Sequence, residues 1–253
     1  MRARPSETFA AISDVHGNSD ALRAVLDDID RIGITAIVNL GDHLSGPLAA
    51  REVADLLMTR DMACIRGNHD RWLVEMEPSA MGPSDRAAHR QLDPAHLEWL
   101  RGLPATGRYG RDVFLCHGTP DSDTAYWMEE ASNGATLTLK PSDGIEAIAD
   151  GIDAALILCG HTHIPRALRL RDGRLIVSPG SVGCPAYSDD APFAHVMQTA
   201  TPDACYAVLE KRHGRWAVSF RYVPYDSGRM VGLARESGRE DWASALATGW
   251  IRP

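Results

Sequence analysis

Five short apolar runs, rich in β-branched or small hydrophobic residues, break off abruptly into polar, glycine-containing sequence. They are Thr8 to Ser13, Ala36 to Leu40, Ala63 to Ile65, Val113 to Cys116 and Ala154 to Cys159. Short apolar runs without alternation are expected of strands covered on both faces. Between the first two, Leu22, Val25, Leu26 and Ile29 recur at helical spacing behind Ser19, a candidate N-cap; Val53, Leu56 and Leu57 suggest a second helix before the third run. Strand, helix, strand, helix, strand is the opening of a layered α/β fold.

After residue 70 the pattern loosens. Asp93-Pro94 reads as an N-cap and first position of a helix carrying Leu97 and Leu100, and Gly110-Arg111-Asp112 as a turn between two strands. From Thr119 to Lys140 there is little periodicity, and this stretch is the candidate loop or cap near a site. Hairpins are expected for Ala167 to Leu170 with Leu175 to Ser178, and for Ala204 to Glu210 with Trp216 to Val223. Asp241 to Thr248 reads as a last helix stopped by Gly249. With no internal repeat and no Pro/Gly-rich linker, the simplest organisation is one domain over residues 1–253, with a cap or insert at 119–140.

At 44% hydrophobic and 24% charged, the 253 residues have ample material for a core. A formal net charge of −8 argues against extended nucleic-acid binding, which needs basic surface; a small anionic substrate stays open if metal ions supply local positive charge. Five cysteines without a C-x-x-C pair indicate neither a disulfide framework nor a thiolate zinc site. No run has the length of a signal-peptide core or a membrane span, so a cytoplasmic protein with no membrane partner is expected. Oligomeric state is not readable from the chain.

The ends of the five runs concentrate chemistry: Ser13-Asp14-Val15-His16-Gly17, Leu40-Gly41-Asp42-His43, Arg66-Gly67-Asn68-His69-Asp70, Cys116-His117-Gly118 and Cys159-Gly160-His161-Thr162-His163. Six of the ten histidines lie in these segments. In open α/β sheets ligands gather beyond the carboxyl ends of strands, so unconnected segments can surround one point. Imidazole nitrogens with carboxylate or amide oxygens suit two hard or borderline divalent cations, manganese, iron, zinc or nickel. Asp14 and His16, like His161 and His163, stand two residues apart and can face the same way. Asp42, leaving a tight exit at Gly41, is the candidate bridging carboxylate. Each fragment alone also fits a plainer account, an Asx turn, a surface histidine or a Gly-Asn turn; it is the set of five that favours a metal site.

The series Asp14-x-His16, Gly41-Asp42, Gly67-Asn68-His69-Asp70, His117-Gly118 and Gly160-His161-Thr162-His163 resembles the calcineurin-like metallophosphoesterase superfamily, in family order. Ser178-Pro179-Gly180-Ser181-Val182-Gly183 is also similar to the segment after the last metal block of bacterial phosphodiesterase-like members. The resemblance implies an α/β sandwich of two mixed β-sheets flanked by helices. It implies that Asp14, His16 and His163 hold one metal, that Asn68, His117 and His161 hold the other, and that Asp42 bridges them. Manganese is the favoured cation.

Such a centre generates a bridging hydroxide that attacks a phosphoester in line while the cations clamp the phosphoryl oxygens. An alkoxide leaving group then needs a proton. The resemblance gives that task to His69; Asp70, next in sequence, is expected to orient and charge the imidazole. His43 is assigned a supporting hydrogen bond or turn role, Arg66 a solvated or ion-paired one, and Cys116 and Cys159 the core. Tyr126, Trp127 and Met128 either roof the substrate pocket or pack the insert onto the body. Ser/Thr protein phosphatases of the family typically read Gly-Asp-x-Val-Asp-Arg-Gly, whereas this chain reads Gly41-Asp42-His43-Leu44-Ser45-Gly46-Pro47. The missing arginine favours a phosphodiesterase acting on a small, nucleotide-like diester. A dinucleoside polyphosphate hydrolase, a phosphomonoesterase and a non-catalytic, metal-binding interaction scaffold are the alternatives.

Overall fold

The computed structural model describes residues 7–131, 137–191 and 193–251. β1 (Thr8–Ile12), α1 (Ser19–Arg31), β2 (Ile37–Asn39), α2 (Ala50–Met58), β3 (Ala63–Cys64) and α3 (Asn68–Glu75) alternate along the first part of the chain. Two short helices, α4 (Pro83–His89) and α5 (Pro94–Arg101), lead to β4 (Thr106–Tyr109), β5 (Val113–Cys116) and the small hairpin β6 (Glu129–Ala131) with β7 (Leu137–Leu139). Then come α6 (Ser142–Ile148), β8 (Leu156–Leu158), β9 (Arg166–Arg169), β10 (Leu175–Ser178), β11 (Ala186–Asp189) and β12 (His195–Gln198). A long hairpin, β13 (Ala204–Arg212) and β14 (Arg215–Val223), precedes α7 (Gly228–Glu236) and α8 (Glu240–Thr248).

Two five-stranded mixed sheets result, ordered β14-β13-β1-β2-β3 and β4-β5-β8-β10-β9. In the first, β1, β2 and β3 run parallel and β13 is antiparallel to β1; in the second, β5, β8 and β10 are parallel. Alternation along each strand divides the core into layers. Phe9, Ala11, Val38 and Leu40 meet Val113, Leu115, Leu156, Leu158 and Val177 between the sheets. Ala10 and Ile12 turn the other way, onto Leu22, Val25 and Ile29 of α1 and Val53 and Leu57 of α2. Outside the second sheet, Cys116, Ile157, Cys159 and Ile176 pack on Trp127, Met128 and Ile145. Truncating a side chain such as Phe9 to Ala would cost about 3–5 kcal/mol. This sandwich therefore gives a rigid base to the loops at its rim.

The expected strands and the last helix form close to their expected bounds, and Gly249 terminates α8 in the left-handed region, φ 75°. Other details differ. The N-cap of α1 is Asn18, whose Oδ1 accepts from Ala21 N at 3.0 Å, while the Ser19 hydroxyl donates to Glu52. Short helices α3, α4, α6 and α7 were not expected, because seven to nine residues carry too few apolar positions to show a period. The stretch from Thr119 to Lys140 is part loop and part hairpin; its residues 132–136 lie outside the described residues. No helix among the described residues is long and apolar enough to cross a membrane.

Candidate metal centre

The carboxyl ends of β1, β2, β3, β5 and β8 meet at one rim, stitched by hydrogen bonds between loops. Asp14 N donates to Gly41 O, His16 N to Asp42 O and Gly160 N to His117 O, at 3.0, 3.0 and 2.6 Å. Five polar residues there adopt left-handed backbone: Asp14 at φ 56°, His16 at 50°, Asp42 at 55°, His161 at 70° and His163 at 60°. Non-glycine residues occupy this region at a cost of about 1–3 kcal/mol and concentrate at functional sites. At the ends of β1, β2 and β8 the chain thus turns sharply and aims a side chain inward.

Asp14, His16 and His163 present ligand atoms within 4.8 Å of one another, and Asp42, His117 and His161 form a second such group. His163 Nε2 is 3.4 Å from Asp14 Oδ1 and 3.1 Å from His16 Nε2. Asp42 Oδ2 lies 3.1 Å from His117 Nε2 and 3.8 Å from His16 Nε2, between the two groups. Asn68 is 1% exposed at the start of α3, and its Oδ1 has no hydrogen-bond partner among the described residues. Every position expected to hold a metal is therefore at this rim.

The donors fit divalent cations. The Nδ1–H groups of His16, His117 and His163 donate to the carbonyls of Ser45, Leu40 and Cys184 at 2.9, 2.8 and 2.6 Å. A neutral ring fixed in this way turns its Nε2 lone pair inward. His16 and His163 then face each other lone pair to lone pair, and His117 faces the Asp42 carboxylate, an arrangement that requires positive charge between them. His161 donates from Nε2 to Thr124 O at 3.0 Å and keeps Nδ1 as its acceptor. Asp14 Oδ1 and His117 Nε2 are buried without hydrogen-bond partners among the described residues.

Electrostatics agree. Burial pushes the Asp14 carboxyl up, but positive charge on His163, 3.4 Å away, outweighs it and holds the group at about 2; Asp14 in turn raises His163 against burial, so a proton there takes the place that a cation's charge would fill. Burial and repulsion from His163 hold His16 at about 4, and burial with repulsion from His117 does the same to His161. These two rings are thereby kept neutral, the state in which imidazole binds a cation. Burial lowers His117, yet the Asp42 charge lifts it to about 9, another expression of the demand for positive charge.

Two glycines permit the close approach. A Cβ on Gly41, which sits at φ 103°, would lie 2.3 Å from Gly67 N, and one on Gly67 would lie 2.2 Å from Asp42 Oδ1. Gly67 is not a tight turn: its φ is −94° and it serves as the N-cap of α3. Its small size, rather than left-handed freedom, is what the site uses.

The assignment of Asp70 to His69 is corrected by the structure. Asp70 points away from His69 and accepts from His43 Nδ1 at 2.7 Å and from the backbone N–H groups of Asp42, His43 and Gly67 at 2.8, 3.0 and 2.9 Å. As the third residue of α3, it caps the helix N-terminus and ties it to the Asp42 loop. Burial alone would lower the His43 imidazole, but the Asp70 charge and hydrogen bond raise it to about 10. His43 therefore supports the Asp42 loop, in keeping with the supporting role expected of it, through a buried ion pair.

His69 instead donates from Nδ1 to Asp85 Oδ1 at 2.7 Å, from a residue of α4. Burial lowers the ring, while the charges of Asp42 and Asp85 and the Asp85 hydrogen bond raise it above the ordinary histidine value. Its side chain is 26% exposed and its ring packs 5.5 Å from His16. Asp85 was missed because it lies in Pro83-Ser84-Asp85-Arg86, outside the strand-end segments; only the N-terminal proline hinted at a helix there.

Two clefts reach the centre. One, of about 690 Å³, includes Asn68, Trp72, Tyr126, Glu129, Lys140 and His161; the other, of about 410 Å³, includes Arg66, Arg71, His117, Ser122 and Asp123, and Thr124 borders both. Tyr126 thus forms a wall of the first, while Trp127 and Met128 pack into the core. Arg66 pairs with Glu75 at 3.4 Å, and Arg71 grips Asp123 with two bonds of 2.7 and 2.8 Å.

Comparison with known proteins agrees with this geometry. An uncharacterized protein of Methanocaldococcus jannaschii is 29% identical over 201 residues, covering 70% of this chain and 76% of its own. The crystal structure of a metallophosphoesterase from Sphaerobacter thermophilus superposes with a TM-score of 0.74 at 27% identity, covering 96% of this chain and all (100%) of the other. A hypothetical protein from Pyrococcus horikoshii shares the fold, with a TM-score of 0.70 at 22% identity over 97% of this chain and 99% of that one. Residues 8–201 match the calcineurin-like phosphoesterase superfamily domain, a dimetal-dependent family, and the chain belongs to that superfamily.

Proposed function

We propose that the chain is a dinuclear phosphodiesterase acting on a small, nucleotide-like phosphodiester. Asp14, His16 and His163 would hold one divalent cation, Asn68, His117 and His161 the other, with Asp42 shared; manganese is favoured, and iron, zinc or nickel suit the same donors. Bound cations would polarise the phosphoryl oxygens and lower the pKa of water for in-line attack. The protein's own part is orientation and proton supply. The carbonyls of Ser45, Leu40 and Cys184 fix the ligand tautomers, and the His43–Asp70 pair holds the Asp42 loop against α3. His69, with Nδ1 committed to Asp85, offers its Nε2 proton to the departing alkoxide.

The observation that carries the diester preference is the pair of clefts meeting at Thr124. A monoester has one organic arm, whereas a diester has two and can lay one in each cleft. The absence of an arginine at the position typical of protein phosphatases points the same way.

The test combines metal analysis with turnover. Purified protein should bind about two cations, and His163→Ala about one. The wild type should hydrolyse bis(4-nitrophenyl) phosphate faster than 4-nitrophenyl phosphate, and chelator should abolish both activities. A preference for the monoester would overturn the diester reading. Faster cleavage of dinucleoside polyphosphates would favour that alternative, and tight metal with no phosphoester turnover would favour the scaffold.

A further inference from the structure

The larger cleft is bordered by a buried carboxylate, one oxygen of which is used by none of the described residues. Glu129, the first residue of β6, borders this cleft and is only 2% exposed. Its Oε1 accepts from Arg166 Nε at 2.6 Å, whereas its Oε2 has no hydrogen-bond partner among the described residues. A buried, unsatisfied carboxylate oxygen costs a protein about 1–3 kcal/mol or more. Such a group is completed by a water, an ion or a ligand. Burial pushes the Glu129 carboxyl up and the charges of Arg166 and Lys140 offset only part of this; Oε2 itself has almost no exposed surface, so a donor in the cleft meets it as the carboxylate turns toward the cleft.

The walls near Glu129 are aromatic. Tyr126 is fixed by its hydroxyl, which lies 2.9 Å from His195 Nε2, and by its ring, 5.1 Å from the His161 ring. His195 donates from Nδ1 to Phe193 O at 2.7 Å, so its Nε2 is the acceptor and the tyrosine the donor. Trp72, on the first turns of α3, borders the same cleft and packs its ring 4.7 Å from His69. Flat rings beside one buried acceptor, opening onto His161 and Asn68, suit a planar nitrogen heterocycle carrying an amino group.

We propose that this cleft is the base-binding subsite for one arm of the substrate, with Trp72 and Tyr126 as its walls and Glu129 Oε2 accepting an N–H from an exocyclic amine. The assignment rests on the diesterase reading for its biological meaning, but its binding chemistry can be tested separately. The probes are adenosine 5′-monophosphate, purine riboside 5′-monophosphate, which lacks the amine, and ribose 5-phosphate, which lacks the base. Affinities are measured by calorimetry on manganese-loaded protein.

The wild type should bind the adenosine compound about tenfold more tightly than the amine-free analogue, the increment expected of a hydrogen bond to a charged acceptor. In Glu129→Gln, the amide oxygen stays on Arg166 and its NH₂ replaces Oε2, so this preference should vanish or reverse. Trp72→Ala should weaken both purine compounds and leave ribose 5-phosphate unchanged. Equal affinity of wild type for the two purine compounds would overturn the proposal, as would an undiminished preference in Glu129→Gln. If that variant does not fold, the wild-type comparison and Trp72→Ala still decide. Should bis(4-nitrophenyl) phosphate not be turned over while the amine preference stands, the diesterase reading fails and the subsite survives.

Discussion

Replacing Asp85 by Asn isolates the proton-donating part of the proposed mechanism. Asp85 Oδ1 lies 2.7 Å from His69 Nδ1, and the Asp85 side chain is only 5% exposed, so solvent screens the contact little. An Asn oxygen can still accept the Nδ1–H and keep the ring in place, but it removes the charge that favours the imidazolium. Hydrogen bonds to charged groups are worth about 1.5–3 kcal/mol, which corresponds to a rate loss of roughly 10- to 150-fold. A general acid as a whole is worth about 10²–10⁴-fold, so Asp85→Asn should show part of the deficit of His69→Ala.

The loss must depend on the leaving group. 4-Nitrophenolate departs without a proton and an alkoxide does not, so kcat of the metal-loaded variant should fall on a dialkyl phosphodiester and hold nearly constant on bis(4-nitrophenyl) phosphate. Because the two residues act as a unit, His69→Ala with Asp85→Asn should be no slower than His69→Ala alone. Equal losses on both substrates would refute the reasoning, since orientation of a proton donor cannot affect a step that needs no proton. Full alkyl-ester activity in His69→Ala would remove the acid altogether.

Other outcomes follow from the same geometry. Asp70→Ala strands the His43 imidazolium and three backbone N–H groups, so urea unfolding should show a loss of about 3–5 kcal/mol; wild-type stability would contradict the buried ion pair. Gly67→Ala places a methyl 2.2 Å from Asp42 Oδ1 without backbone strain, so bound metal should fall while far-ultraviolet circular dichroism is retained. Asp28 accepts from Arg221 and Tyr206, and these bonds hold its carboxyl below the ordinary value despite some burial. Its stabilising contribution is present above about pH 3.9 and lost as pH falls through the lower folded value. Urea midpoints should therefore separate wild type from Asp28→Asn at pH 7 and converge in strong acid; a gap that widens in acid would reverse the assigned sign.

The legible parts of the sequence were those where one residue carries its own signal. β1, β2, β5 and β8 are largely apolar because both their faces are covered, and the glycine-flanked polar ends mark where the backbone must turn. The links between segments left no such trace. Asp70 and Asp85 are both acidic residues within reach of His69 along the chain, and proximity in sequence favoured the wrong one. The helical register of α3 turns Asp70 back onto Gly67 N and His43, while α4 delivers Asp85 from fifteen residues further on. Glu129 was equally silent, because a glutamate at the edge of a short hairpin looks solvated until Arg166 and the second sheet enclose it.

The strained backbone connects these observations. Five non-glycine residues of this rim in the left-handed region, at roughly 1–3 kcal/mol each, amount to a substantial burden for a domain of ordinary stability. Relaxing any one would swing its side chain off the rim, so the conformation must be held by the surrounding structure. Two devices do this: the inter-loop hydrogen bonds at Asp14, His16 and Gly160, and the Asp70 carboxylate, which gathers three backbone N–H groups from two loops. Asp70 thus acts one step behind the chemistry, setting the backbone from which Asp42 projects. The pair Asn68 and Asp70, two residues apart at the start of one helix, divides the work accordingly: in the proposed centre the amide would face the cations, while the carboxylate locks the loop from which Asp42 projects.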